Sequence, residues 1–210
     1  MNERTFRAAS AHKLDDPERL RWLPPGEAAQ KLDLRDGMTV ADVGAGTGYF
    51  AVPLARAVGP GGRVWAVDLQ AEMLELLRGK LAEAGMPDNV ELKMGTAAAT
   101  GLPGGACDVV LLANVWHEID DHDAVIREAG RVLKPGGCVA ILDWRADVDG
   151  PPGPPRDHRI GLERTQAVLE AAGWEIRSAE AFGAYSHLVV GVRGPAAAPD
   201  GACSTSPARQ

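Results

Sequence analysis

The stretch that most constrains this chain is residues 39–50, Thr-Val-Ala-Asp-Val-Gly-Ala-Gly-Thr-Gly-Tyr-Phe. Its first half carries the apolar run of a buried strand, Val40, Ala41 and Val43, with Asp42 the one charge. Gly44, Gly46 and Gly48 then make a turn that opens an apolar helix over about 49–58. Glycine lets the backbone turn sharply and come close to a ligand, because no Cβ stands in the way. The helix that follows presents unpaired N–H groups at its start. A second strand over 63–67 ends at Asp68, where a carboxylate can accept hydrogen bonds from both hydroxyls of a ribose. Strand, glycine turn, helix, strand and acid make half of a nucleoside-binding sheet.

The spacing narrows the ligand. A dinucleotide fingerprint, G-x-G-x-x-G, needs its third glycine at position 49, and Tyr49 stands there. The loop reads G-x-G-x-G after Asp42, with no lysine to cradle a pyrophosphate. In this form the chain resembles the class I S-adenosylmethionine-dependent methyltransferases, while an ordinary strand-to-helix turn is the alternative for the glycines alone. The likeness runs over about 36–193, and the group most resembled is the small bacterial ubiquinone/menaquinone-biosynthesis-like methyltransferases. It implies a Rossmann-like α/β fold, with a seven-stranded, mostly parallel sheet in the order 3-2-1-4-5-7-6. Strand 7 is expected to be antiparallel, and helices to cover both faces. It also implies S-adenosyl-L-methionine as cofactor, with S-adenosyl-L-homocysteine as product. The cofactor contacts it points to are Asp42, Gly44, Ala45, Gly46, Tyr49, Asp68, Leu69, Met73, Gly95, Thr96, Ala97 and Asn114. Many relatives carry an aspartate after the glycine at 95, to accept from the adenine amino group. Here the residue is Thr96, so a weaker hydroxyl bond or the backbone of Ala97 takes that part.

The rest of the chain supplies the remaining elements. Met73, Leu74, Leu77 and Leu81 recur at helical spacing, which predicts a helix over 70–84. A third strand is expected over 89–94. Residues 107–113, Cys-Asp-Val-Val-Leu-Leu-Ala, read as a strand buried in the middle of a parallel sheet. A helix over 121–133 leads to Lys134-Pro135-Gly136-Gly137, a turn that matches a family hallmark and starts a fifth strand over 138–142. A proline-glycine loop over 149–158, a helix over 160–172 and a hairpin of strands over 174–179 and 186–192 complete the sheet. The division expected is a lead segment over 1–36, a methyltransferase domain over 37–193 and a disordered tail over 194–210. The lead contains a short helix over 26–32 and, by the resemblance, packs over the cofactor cleft as a partial lid. His12 and Trp22 then pack it against the domain, or alternatively touch substrate.

Composition excludes several classes. The net charge of −7 comes with no lysine and arginine stripe, which argues against a nucleic-acid partner. No apolar run approaches membrane-spanning length. Cys107, Cys138 and Cys203 form neither a disulfide framework nor a zinc spacing, so no metal is expected. Arsenite methyltransferases look similar in the core, but they bind arsenic through paired thiols, which two strand cysteines and a tail cysteine do not offer. A cytoplasmic protein acting on a small molecule is the expectation, with its oligomeric state open.

Methyl transfer asks a protein mainly to hold the two partners aligned about 3 Å apart, which supplies an effective molarity of the order of 10⁵ M or more. A base is needed only where the nucleophile must lose a proton. Ligands of open α/β sheets bind beyond the carboxyl ends of the strands, so residues 114–118 face the substrate, with Trp116, His117 and Glu118 the candidates. His117 is a candidate base, or a structural donor at a helix start. Asp143 and Trp144 orient a substrate, or form an ion pair to Arg145 and a packed indole. His158 and Arg159 bind an anionic substrate, or tie down the loop. Tyr49 lies near the sulfonium as a cation–π partner, or only packs at its helix start. Two other functions stay open: a catalytically silent binder of the cofactor, and a nicotinamide-dependent oxidoreductase.

Overall fold

The computed structural model describes residues 5–85, 88–149 and 153–193. The expected tail over 194–210, and part of the proline-glycine loop, lie outside the described residues. Seven strands form one sheet: β1 (Thr39–Val43), β2 (Arg63–Asp68), β3 (Val90–Met94), β4 (Cys107–Ala113), β5 (Leu133–Trp144), β6 (Trp174–Phe182) and β7 (Ser186–Arg193). Their order is β3-β2-β1-β4-β5-β7-β6. Neighbours pair in parallel from β3 through β5, and β7 runs antiparallel between β5 and β6.

Alternate residues of the central strands feed two separate cores, which is why these strands read as continuous apolar runs. Val109, Leu111, Ala140 and Leu142 point to one face, where they meet helices α2 (Pro25–Lys31), α3 (Ala51–Ala57) and α4 (Ala71–Glu83). Val110, Leu112, Val139 and Ile141 point to the other, against α5 (His122–Val132) and α6 (Leu162–Ala171). Ahead of the sheet, a 3₁₀ helix (Ala8–Asp15) and the single-turn α1 (Arg19–Trp22) cross the carboxyl ends of the strands.

Three local differences from the sequence reading have physical causes. The helix after the glycine turn is regular only from Ala51, because Gly44, Gly46 and Gly48 all hold positive φ and the turn runs to Phe50. The Lys134–Gly137 turn is absorbed into β5. Cys107 pairs with Leu133 and Val109 with Cys138, so four residues bulge opposite Asp108. Lys134 Nζ bonds the Asp108 carboxylate at 2.7 Å and fastens that bulge. β6 extends to Phe182 because Ala181 and Phe182 keep pairing with His187 and Ser186 beyond the predicted end.

No helix joins β3 to β4; residues 95–106 pass as a loop, held by one acid of α5. Glu128 accepts from Thr100 N at 2.9 Å and from Thr100 Oγ1 at 2.5 Å, and is paired with Arg131. Arg131 in turn donates to Leu102 O at 2.8 Å. The Arg131 guanidinium, ahead of the Thr100 hydrogen bonds, holds the Glu128 carboxyl down at about 2. The stability this gives is complete above the ordinary glutamate value and is lost as pH falls toward 2. Glu128→Ala is expected to destabilise the protein by about 1.5–3 kcal/mol at neutral pH, by loss of charged hydrogen bonds. Urea unfolding at pH 7 and pH 3 checks it, with a smaller difference expected at the lower pH.

Candidate functional site

The glycine turn is built from the ends of β1 and β2. Gly44 N and Ala45 N both donate to Val67 O, at 2.8 and 3.0 Å. Gly46 N then donates to Asp68 Oδ2 at 2.8 Å, and Asp68 Oδ1 accepts from Gln70 N at 2.8 Å, at the start of α4. One carboxylate therefore joins the glycine loop, the end of β2 and the next helix. Glycine is required here by space as well as by φ. A Cβ on Gly44 would sit 2.2 Å from the Val115 side chain, and one on Gly48 would sit 2.2 Å from Leu77.

Asp42 lies beneath this loop with 1% of its surface exposed. Burial, with the Asp68 charge adding to it, raises its carboxyl to about 7 against the pull of the Ala51 N–H. Its Oδ2 has no partner, and neither has Oδ1 of Asn114, one residue past β4 and held at φ 55°. Burial likewise raises the Asp68 carboxyl. Glu118, in the 3₁₀ turn Trp116–Glu118, is pushed up to about 7, again chiefly by burial and against the nearby His117. The carboxyl ends of β1, β2 and β4 thus converge on a cleft rich in buried acid with unused acceptors.

At the ends of β4 and β5 a second group forms. His117 Nδ1 lies 2.8 Å from Asp143 Oδ1, and His117 N donates to Asp143 Oδ2 at 3.0 Å. Burial alone would raise the Asp143 carboxyl, but His117 and the N–H groups of Trp144 and His117 outweigh it and hold it below its ordinary value. An ionised Asp143 accepts, so Nδ1 of His117 is the donor in this contact, and Nε2 faces Glu118 Oε1 at 4.0 Å. The alternative partner for Asp143 does not arise: Arg145 pairs with Asp147 at 2.6 Å.

The other predicted residues divide. Leu69 is exposed beside Asp68, and Gly95 N bonds Asp68 O at 3.0 Å, which brings Thr96 and Ala97 to the same rim. Met73 is buried under that rim in α4. Trp116, expected to face substrate, is fully buried instead: its indole packs in the second core, 4.1 Å from the His122 ring. Trp144 is packed against Trp22, with ring centroids 5.3 Å apart. Arg159 donates to the carbonyls of Pro154, Arg145 and Val148, a loop tie-down, and His158 stands half-buried beside it. Tyr49 donates its hydroxyl to Leu23 O at 2.8 Å.

Sequence reasoning missed the residues by which the lead segment grips the cleft. Leu14 packs near Gly46, and Thr47 Oγ1 donates to Asp15 at 2.8 Å. Gln70 bonds Phe6 O and Ala8 N, while Glu118 accepts from Phe6 N at 3.1 Å. These pairings join residues tens of positions apart and leave no periodic trace. A cavity of about 660 Å³ lined by Thr39, Gly62, Arg63 and Trp65 lies at the opposite, amino end of the strands, away from all of this chemistry. Among the described residues no cluster of three or more His, Cys, Asp or Glu side chains is placed to hold a metal ion, and no helix is long and apolar enough to cross a membrane.

Comparison with known proteins gives the site a context. A family model described as a methyltransferase domain matches residues 40–137. Ubiquinone/menaquinone biosynthesis C-methyltransferases UbiE from Hahella chejuensis and Pasteurella multocida are 36% and 34% identical over 114 and 118 residues. These alignments cover 54% and 56% of this chain but 46% and 44% of theirs, so the chain spans about half the length of the curated relatives it matches. The crystal structure of a SAM-dependent methyltransferase from Aquifex aeolicus is similar over 90% of this chain and 99% of its own, with 31% identity and a TM-score of 0.84.

The buried acids carry a testable cost. A carboxyl near 7 in the fold and near 4 when unfolded keeps a proton in the folded state that the unfolded state has lost. Stability must therefore fall as pH rises between those values. Between pH 5 and pH 8 the Asp42 contribution is about 2–3 kcal/mol. Denaturant unfolding of the wild type should show that loss, and Asp42→Asn should reduce it; an equal pH slope in the two proteins would contradict the assignment.

Proposed function

From the membership of this chain in the S-adenosylmethionine-dependent methyltransferases, we propose that it transfers the cofactor's methyl group to a small-molecule acceptor beyond the ends of β4 and β5. The observation that carries the reading is the adjacency of two groups. The glycine loop tied to Asp68 is one, and the buried His117–Asp143 pair two strands away is the other. The unpartnered oxygens of Asp42 and Asn114 support the fit, since a ligand bearing a sulfonium and an ammonium supplies the positive charge and donors that they lack.

In this reading Asp68 takes the ribose, and Leu69, Met73, Gly95, Thr96 and Ala97 form the adenine rim. Gly44, Ala45, Gly46 and Asn114 approach the methionine end, with Asp42 beneath. When bound, the cofactor supplies an activated methyl group to a nucleophile aligned with the departing sulfur. The protein's part is alignment and the exclusion of water, helped by the lead segment laid over the cleft. His117 takes a proton at Nε2 where the acceptor is an alcohol or an acidic carbon, and Asp143 holds its ring and stabilises the charge that forms. Glu118 and Trp144 flank that space. The negative net charge favours a small acceptor over nucleic acid, and a cytoplasmic setting accords with buried Cys107 and Cys138 outside any disulfide.

Incubation with methyl-labelled cofactor and a metabolite extract tests the proposal: label is expected in small molecules, and cofactor binding without any transfer would leave a silent binder. On the acceptor so identified, His117→Ala is expected to lower kcat by about 10²–10⁴-fold with little change in cofactor affinity. Asp68→Ala is expected to weaken S-adenosylhomocysteine binding by about 1–3 kcal/mol in calorimetry. Unchanged affinity would remove the ribose role, and unchanged kcat the base.

A further inference from the structure

Arg19 is a buried cation that lacks an acid. It is 7% exposed, and its guanidinium carbon lies 4.1 Å over the Tyr49 ring and 6.0 Å from that of Trp22. Its hydrogen bond runs from Nη1 to Leu14 O, a neutral carbonyl. Among the described residues no carboxylate forms an ion pair with it. Asp15 is bound to Thr47 and Lys80, Asp16 accepts from Glu18 N, and Glu18, next to Arg19 in sequence, pairs with Arg21. Burial lowers its pKa, against the raising pull of Tyr49, Asp15 and Asp16. A buried guanidinium has five N–H donors, and a charge taken from water is expected to be paired.

Its position names the partner. Tyr49 follows the glycine loop directly, and Leu14, whose carbonyl Arg19 holds, is the side chain nearest Gly46. Under the reading above, the amino-acid end of the cofactor lies over this loop. That end brings a carboxylate into a cleft already holding Asp42, Asp68, Glu118 and Asp143, where it would be repelled unless a cation met it. Lys80, on the same face, is already paired with Asp15. We propose that Arg19 is the receptor for the carboxylate of the cofactor's amino-acid tail, so that the lead segment completes the cofactor site as well as covering it. This inference rests on the proposed function.

Calorimetry with two ligands separates the two. S-Adenosylhomocysteine carries the amino-acid tail; 5′-methylthioadenosine is the same thioether nucleoside without it. Arg19→Met is expected to weaken the first by roughly 10- to 100-fold, the scale of a lost charged hydrogen bond, and to leave the second unchanged. Arg19→Lys, which keeps the charge but loses the planar fork, should fall between. Equal affinity of wild type and Arg19→Met for S-adenosylhomocysteine would overturn the inference. So would an equal loss for both ligands, which would make Arg19 a residue that only holds the lead segment. Wild-type protein that bound neither ligand would overturn the cofactor reading itself.

Discussion

The Asp68 carboxylate is the tie on which the cleft depends. It ends β2, accepts from the middle glycine of the loop and from the first N–H of the α4 entry, and does so 93% out of water. A buried anion survives only with donors around it, and here the donors are backbone N–H groups, which only a proline would remove. The loop, in turn, reaches Asp68 because Gly44, Gly46 and Gly48 take positive φ, and Val115 and Leu77 fill the space where side chains at 44 and 48 would stand. The acid thus fixes the loop, and at positions 44 and 48 the packing leaves room for nothing but glycine.

Charge explains the rest of the cleft. Parallel strands all present carboxyl ends to one edge, and four acids sit there within a few strands of each other. Asp42 and Glu118, pushed first by burial and then by the neighbouring acids, bind protons more tightly, while Asp143 stays ionised because it has an imidazole and two N–H groups. The same residue type therefore serves in two states, set by what faces it. An arrangement that strains toward proton uptake when alone is one that a cationic ligand relieves.

Much of this was legible from residues alone. The sheet order was implied by the family resemblance that the glycine fingerprint carries, and the central strands announced themselves as apolar runs because they are buried on both faces. Asp42, Asp68 and the 114–118 segment could be located for the same reason, since strand ends are placed by the strands. What escaped were features decided between distant segments. Trp116 reads as a substrate-facing residue, yet its indole turns into the second core over His122. Lys134–Gly137 reads as a turn, and only the pairing on both sides of Asp108 makes it a bulge within β5. Arg145 is adjacent to Trp144 and close to Asp143 in sequence, but it pairs outward with Asp147 because His117 already occupies the acid.

The lead segment is the clearest case of tertiary context overriding local signal. Its 3₁₀ turn and the single turn of α1 are too short to be stable alone, since helices of this length gain less from hydrogen bonds than they lose in chain entropy. They form because Leu23 enters the first core, Trp22 stacks on Trp144, and Gly183 lies so close beneath the Trp22 carbonyl that a Cβ there would come within 2.3 Å of it. Anchored at that end, the segment can carry Leu14, Asp15 and Phe6 across the glycine loop on hydrogen bonds that are individually weak, at about 1 kcal/mol each. Firm attachment at Trp22 and light attachment at Phe6 give one strap two different strengths, with the cleft lying beneath the weaker half.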